Sequence, residues 1–244
     1  MKLVWEDNFD YTGPPNPDKW EAQVGGHGWG NNELQYYTDM KNVWAENGKL
    51  IIEARREDCE GKEVTSARIR TAGKGDWKYG RIEVCAKLPS GLGTWPAIWM
   101  MPTPQEGAER VRWPDCGEVD IMEHVGFRQG NVFATVHTGA FNHTKRTHLG
   151  GGKEVADCSE AFHVYSCEWD EKEMRFAIDG EQIFRYAPWE MDTVSEVTDA
   201  EWPFNKPFHL ILNVAFGGNL GGARGIDMDV LPQRFEIDYV RVYQ

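Results

Sequence analysis

Apolar and polar residues alternate over short runs along most of the chain. The pattern is clear in Lys49–Arg56, Ser66–Thr71, Arg81–Leu88, Asn131–His137 and His163–Trp169. It returns in Met174–Ile178, Gln182–Tyr186, His209–Val214 and Phe235–Tyr243. Successive side chains of a strand point to opposite faces, so each run predicts a strand with one face toward a core. Gly, Pro, Asn and Asp punctuate the runs, and Asp179-Gly180 between two of them predicts a tight hairpin. No segment holds a 3.6-residue apolar stripe for several turns, which leaves helix to single turns near Pro17–Trp20 and Pro188–Met191. Many short strands without intervening helices predict an all-β sandwich or barrel. The chain of 244 residues fits that architecture as one domain, with no linker, repeat or low-complexity segment. Gly25–Glu33 and Phe141–Lys153 are long for hairpin loops, and loops of that length are often functional.

The net charge of −13 argues against nucleic acid as a partner and against an acidic polysaccharide as first choice of substrate. No apolar run approaches the length of a membrane span, so no membrane insertion is expected. Strand-like residues follow Met1 almost directly, without a signal-peptide pattern. The five cysteines, Cys59, Cys85, Cys116, Cys158 and Cys167, form no CxxC pair, which disfavours a zinc site. Cys116 reads as a packed thiol rather than a nucleophile. Eleven tryptophans serve equally for core packing or for stacking on the C–H face of a pyranose.

Chemistry concentrates in Trp113–Gly126, WPDCGEVDIMEHVG, which holds Glu118, Asp120 and Glu123. In a regular strand Glu118 and Asp120 share a face while Glu123 turns toward the core, where an unpaired carboxylate is costly. One extra residue within Ile121–Met122, a β-bulge, returns Glu123 to the face of Glu118. Crowded carboxylates raise one another's pKa, and glycoside hydrolysis needs one carboxylate ionised and another protonated near neutral pH. Taken alone, ExDxxE also fits a solvated acidic strand or an oxygen-rich calcium site. Trp95, Trp99 and Trp113 flank the acidic strand. Trp95 and Trp99 share a face of a regular strand, although Pro96 has the means to disturb the register. His137 ends a neighbouring run, within reach of a hydrogen bond to Glu123.

At this point the chain resembles glycoside hydrolase family 16, and within it the bacterial laminarinases. The landmarks are NNELQYYT (Asn31–Thr38), AENGKLIIEAR (Ala45–Arg55), TSARIRT (Thr65–Thr71) and YGRIEVCAKLPSGLGTWPAIWMMP (Tyr79–Pro102). They continue with GEVDIMEHVG (Gly117–Gly126), ATVHTGAFNH (Ala134–His143) and IDYVRVYQ (Ile237–Gln244). The resemblance implies a β-jelly-roll sandwich of two antiparallel sheets with a concave substrate cleft. It implies Glu118 as nucleophile, Glu123 as acid/base and Asp120 as the aspartate that assists them. It also implies that Asn31, Arg70, Trp95, Trp99, Trp113 and His137 line the cleft. A structural calcium ion is implied at Glu6, the Gly48 carbonyl and Asp238, with no cofactor for catalysis. The expected activity is retaining endo-hydrolysis of β-1,3-glucan, with mixed-linkage glucan as a further substrate. The alternatives are the same chemistry on another polymer such as agarose, transglycosylation, or a non-catalytic glucan-binding module. A polymeric substrate places such a protein outside the cell or in the periplasm, and monomer is the default state. DCGE and YSCEW are not hallmarks of that family.

Overall fold

Alternation along the chain builds two sheets that bury their apolar faces against each other. The structure is a computed structural model that describes residues 1–104, 107 and 111–244. Within it, one sheet of ten strands runs in the order Glu181–Tyr186, Met174–Ile178, His163–Trp169, Gly80–Lys87, Gln233–Tyr243, Lys49–Cys59, Lys62–Ser66 and Tyr36–Tyr37. Leu3–Asp7 and Val43–Glu46 pair beside this path. The second sheet, of eight strands, runs Leu149–Glu154, Asn131–His137, Glu118–His124, Thr94–Pro102, Phe208–Phe216, Arg68–Arg70 and Glu21–Ala22, with Asp76–Trp77 beside Phe208–Phe216. The pairings are antiparallel except for Tyr36–Tyr37 against Lys62–Ser66, which is parallel.

Inward residues of the two sheets form one core. Val84, Val240 and Tyr165 come from one sheet, and Ile98, Val136 and Leu212 from the other. Full burial of each such aliphatic side chain contributes about 1.5–3 kcal/mol. The strand Phe208–Phe216 is buried at every position, because one of its faces meets the core and the other floors a cleft. Its sequence therefore reads as a nearly continuous apolar run.

Three expectations are refined. The run Ser66–Thr71 divides at Ala67. Lys62–Ser66 belongs to one sheet and Arg68–Arg70 to the other, so the chain changes sheets within it. Phe141–Lys153 is not all loop. Leu149–Glu154 is an edge strand whose glycines let it lie close to its neighbours: a Cβ on Gly151 would sit 2.5 Å from the carbonyl oxygen of Ile183. Pro188–Glu190 is a 3-10 turn as expected, whereas Pro17–Trp20 forms an ordinary turn, and a short helix spans Gly218–Gly221. Asp179 and Gly180, at φ 52° and 79°, make the expected two-residue hairpin between Met174–Ile178 and Glu181–Tyr186.

Candidate active site

The acidic strand carries the bulge that its sequence required. Against Asn131–His137, Asp120 opposes Thr135 but Glu123 opposes Phe133, which leaves one extra residue on the acidic strand between them. The other neighbour shows the same slip, with Trp99 opposite Asp120 and Ile98 opposite Met122. Ile121 and Met122 both go into the core, and Glu123 returns to the face of Glu118 and Asp120. Without the slip, Glu123 would face the packed interior. All three acids now open onto a cleft of about 480 Å³.

Burial dominates their protonation. It pushes Glu118 up to about 7, with the Glu123 charge adding to the rise. It likewise pushes Glu123 up to about 7, against the indole N–H of Trp95, which donates to Glu123 Oε1 at 2.9 Å. Asp120 is buried most unfavourably, beside both glutamates, and its carboxyl rises well above the usual range. Three carboxylates crowded on one cleft face do not all ionise together, so the group titrates as a coupled set. A hydrogen bond from Asp120, when it carries the proton, favours the ionised form of Glu118. Glu118 is the most open of the three, with 18% of its side chain exposed.

His137 lies opposite Glu118 in the ladder, so its ring faces Glu118 and Asp120 rather than Glu123. Its Nε2 is 3.4 Å from Asp120 Oδ2 and 3.9 Å from Glu118 Oε1. The expected contact with Glu123 is replaced, because the bulge moves Glu123 opposite Phe133. Burial, with His143 and His148 nearby, holds His137 down at about 4, so it is neutral at neutral pH. Among the described residues, Glu118, Asp120 and His137 form the one group of acids, histidines and cysteines whose donor atoms converge within 4.8 Å, as metal ligands would. The same oxygens are those that glycosyl transfer would use.

The walls of the cleft come from several elements. Trp95, Ala97, Trp99 and Met101 alternate onto it from one strand, in unbroken register with Phe208–Phe216, so Pro96 does not disturb the pairing. The Trp99 indole donates to Asn213 Oδ1 at 2.7 Å. Asn31 and Trp113 also line the cleft. Arg70 does not line it, because its guanidinium is bound to Glu21 at 2.5 Å. Arg68, two residues earlier and on the same face, enters instead. It stacks between Trp29 and Trp99 at 4.6 Å from each ring.

Sequence reading did not single out Trp29, Glu33, Arg68, His143 and Asn213 individually, although all five line the cleft. Trp29 and Glu33 lie in the long loop Gly25–Glu33, whose aromatic and amide content was the available signal. Arg68 and Arg70 share strand parity, and only the tertiary partners distinguish them.

The calcium candidates lie on the opposite sheet, where Glu6 pairs with Arg241 and Ile237, beside Asp238, pairs with Leu50. Gly48 sits in the turn just before Leu50, at φ 71°. Carboxylates and a carbonyl suit a hard cation. Glu6 Oε2 accepts the Asn8 amide at 2.9 Å and lies 3.7 Å from the Arg241 guanidinium, so an ion there would share the carboxylate with these partners. All five cysteines are free thiols. Burial pushes Cys116 up to about 11, which makes it a packed thiol and a poor nucleophile.

The comparisons agree with this geometry. The chain is 52% identical over 245 residues to a beta-glucanase of Rhodothermus marinus, covering all of this chain and 85% of that protein. It superposes on the laminarinase structure from Rhodothermus marinus with a TM-score of 0.95 at 51% identity, covering 100% of this chain and 97% of that one. It matches SCLam, a non-specific endo-β-1,3(4)-glucanase, with a TM-score of 0.90 at 42% identity, covering 100% and 91% of the two chains. Residues 29–241 match the sequence profile of glycosyl hydrolases family 16, and the chain belongs to that family.

Proposed function

We propose that this protein is a retaining endo-1,3(4)-β-glucanase that cleaves internal β-1,3-glucosidic bonds of laminarin-type glucans. One observation carries the reading: a single bulge aligns Glu118 and Glu123 on one cleft face, each with a pKa raised to about 7, between Trp95, Trp99 and Trp113. Near neutral pH such a pair readily holds one proton, which is the state that double displacement requires.

In the first step Glu123 gives its proton to the glycosidic oxygen while the Glu118 carboxylate attacks the anomeric carbon. The bond to the leaving chain breaks and a glycosyl ester forms on Glu118. In the second step the Glu123 carboxylate takes a proton from water, the water oxygen attacks the same carbon, and Glu118 leaves as carboxylate with net retention. Asp120, whose carboxyl is raised by burial and by both glutamates, donates to Glu118 when it carries the proton and favours its ionised form before attack. Neutral His137 adds a dipole and no charge beside the pair. The indole faces offer a stacking surface for pyranose rings, and the negative chain favours a neutral polymer over an acidic one. A polymeric substrate supports action outside the cell or in the periplasm, and one chain supplies the whole site.

The test assays wild type and Glu118→Ser for reducing sugar released from laminarin, mixed-linkage glucan and agarose. Cleavage of laminarin that collapses in the folded variant supports both the nucleophile and the substrate. Binding of laminarin without turnover by wild type would overturn the enzymatic reading. Cleavage of agarose alone would keep the mechanism and reject the substrate.

A further inference from the structure

Ten of the eleven tryptophans are buried or partly buried, and four of them (Trp29, Trp95, Trp99 and Trp113) line the cleft. Trp189 is the exception. It is 49% exposed and lies outside the cleft, on the 3-10 turn Pro188–Glu190. Leaving about half of the largest side chain in water forgoes much of the stabilisation its burial would bring, and folding alone gives no reason for it.

The ring packs on an aromatic stack. Trp189 meets Trp202 edge-on at 5.0 Å, and Trp202 stacks on Tyr186 at 5.7 Å with 21° between the planes. The Tyr186 hydroxyl donates to the carbonyl of Glu201. An aromatic surface already packed on its neighbours has less side-chain freedom to lose when a ligand stacks on it.

Beside Trp189 is a shallow groove of about 480 Å³, between the turn that joins His163–Trp169 to Met174–Ile178 and the turn of Trp189 itself. Asp170, Glu171, Lys172, Glu173, Arg185 and Glu190 line it. Arg185 binds both oxygens of Glu190, at 2.6 and 2.7 Å, and also pairs with Glu173, so these carboxylates are held in place. Fixed carboxylates accept hydrogen bonds from adjacent hydroxyls, and a flat indole takes the C–H face of a sugar ring. The lining carries four acids against two bases, which disfavours an anionic ligand.

We propose that Trp189 and this groove form a second, non-catalytic binding platform for a neutral β-glucan chain. The choice of glucan as ligand rests on the function proposed above. The platform lies on the 163–190 side of the molecule and contributes no atom to the reacting centre. Its role is to hold polymer near the enzyme. It should therefore affect long or insoluble glucans and leave short oligosaccharides, which fill only the cleft, unchanged.

The experiment measures retention of Glu118→Ser on insoluble β-1,3-glucan, with and without Trp189→Ala, while laminaritetraose saturates the cleft. Trp189→Ala should weaken the remaining retention roughly five- to tenfold, as the loss of one stacking surface would. In the active background, Trp189→Ala should hydrolyse laminaritetraose with unchanged kcat/KM. Trp189→Phe should keep most of the retention, which controls for damage to the Trp202 stack. Unchanged retention in Trp189→Ala overturns the proposal. So does a parallel loss of retention and laminaritetraose turnover, since that reports general damage. Wild-type hydrolysis of laminarin is scored separately, so failure of the platform and failure of the glucanase reading are distinguishable.

Discussion

The indole N–H of Trp95 donates to Oε1 of Glu123 at 2.9 Å, from the strand whose Ala97 lies opposite that glutamate. The bond favours the ionised form of Glu123 and opposes the rise caused by burial. Trp95→Phe keeps the aromatic wall but removes the donor, so the Glu123 pKa should rise further. Because Glu123 must be protonated to expel the leaving chain, the basic limb of the kcat/KM profile should move to higher pH. A pH–rate series on laminarin checks this, and an unmoved basic limb would reject Glu123 as the acid.

Burial beside two other acids raises the Asp120 carboxyl well above its usual range, so the site costs stability as its protons leave. Its folded pKa is raised. The associated stability is therefore complete below the ordinary carboxylate range and is lost as pH rises through the folded value. Glu118 and Glu123 behave alike, losing theirs between about 4.5 and about 7. Asp120→Asn should consequently melt higher than wild type at pH 8 and nearly level with it at pH 4, while turnover falls. About 1 kcal/mol recovered corresponds to roughly 2–4 °C in a chain of this size. Thermal melts at the two pH values decide it. A variant less stable at pH 8 would contradict the electrostatic account.

Trp99 is oriented by a buried hydrogen-bond chain. Its indole donates to Asn213, whose amide donates to the Tyr37 hydroxyl at 3.1 Å. That hydroxyl in turn donates to Glu33 Oε2 at 3.1 Å. Tyr37→Phe leaves an amide and a carboxylate short of a partner inside the protein, at a cost of about 1–3 kcal/mol. With Trp99 and its stacked Arg68 loosened, KM for oligosaccharides should rise more than kcat falls. Steady-state kinetics separates the two, and a pure kcat effect would argue against a positioning role.

Calcium binding at Glu6, Gly48 and Asp238 would use a carboxylate whose Oε2 also accepts the Asn8 amide. If the ion binds there, millimolar calcium should raise the melting temperature, chelator should lower it, and Asp238→Ala should abolish the difference. Equal melting of wild type with calcium and with chelator would discard the site.

Much of the fold was readable because the side-chain period of a strand is written directly in the sequence. Asn131–His137, His163–Trp169 and Met174–Ile178 appear with the bounds the alternation implied. The sheet change at Ala67 was not readable, since the apolar period runs on while the backbone leaves one sheet for the other. The edge strand Leu149–Glu154 was hidden by glycines, which carry no face and erase the alternation.

The sequence by itself determined the acidic triad and the need for a bulge beneath it. An even–odd conflict in one strand admits few solutions when one face is packed and the other wet. Only the tertiary structure decided that Arg68 rather than Arg70 enters the cleft, and that His137 faces Asp120 and Glu118 rather than Glu123. The physical reason is that parity assigns a side chain to a face, whereas its partner on that face depends on the register between strands distant in sequence.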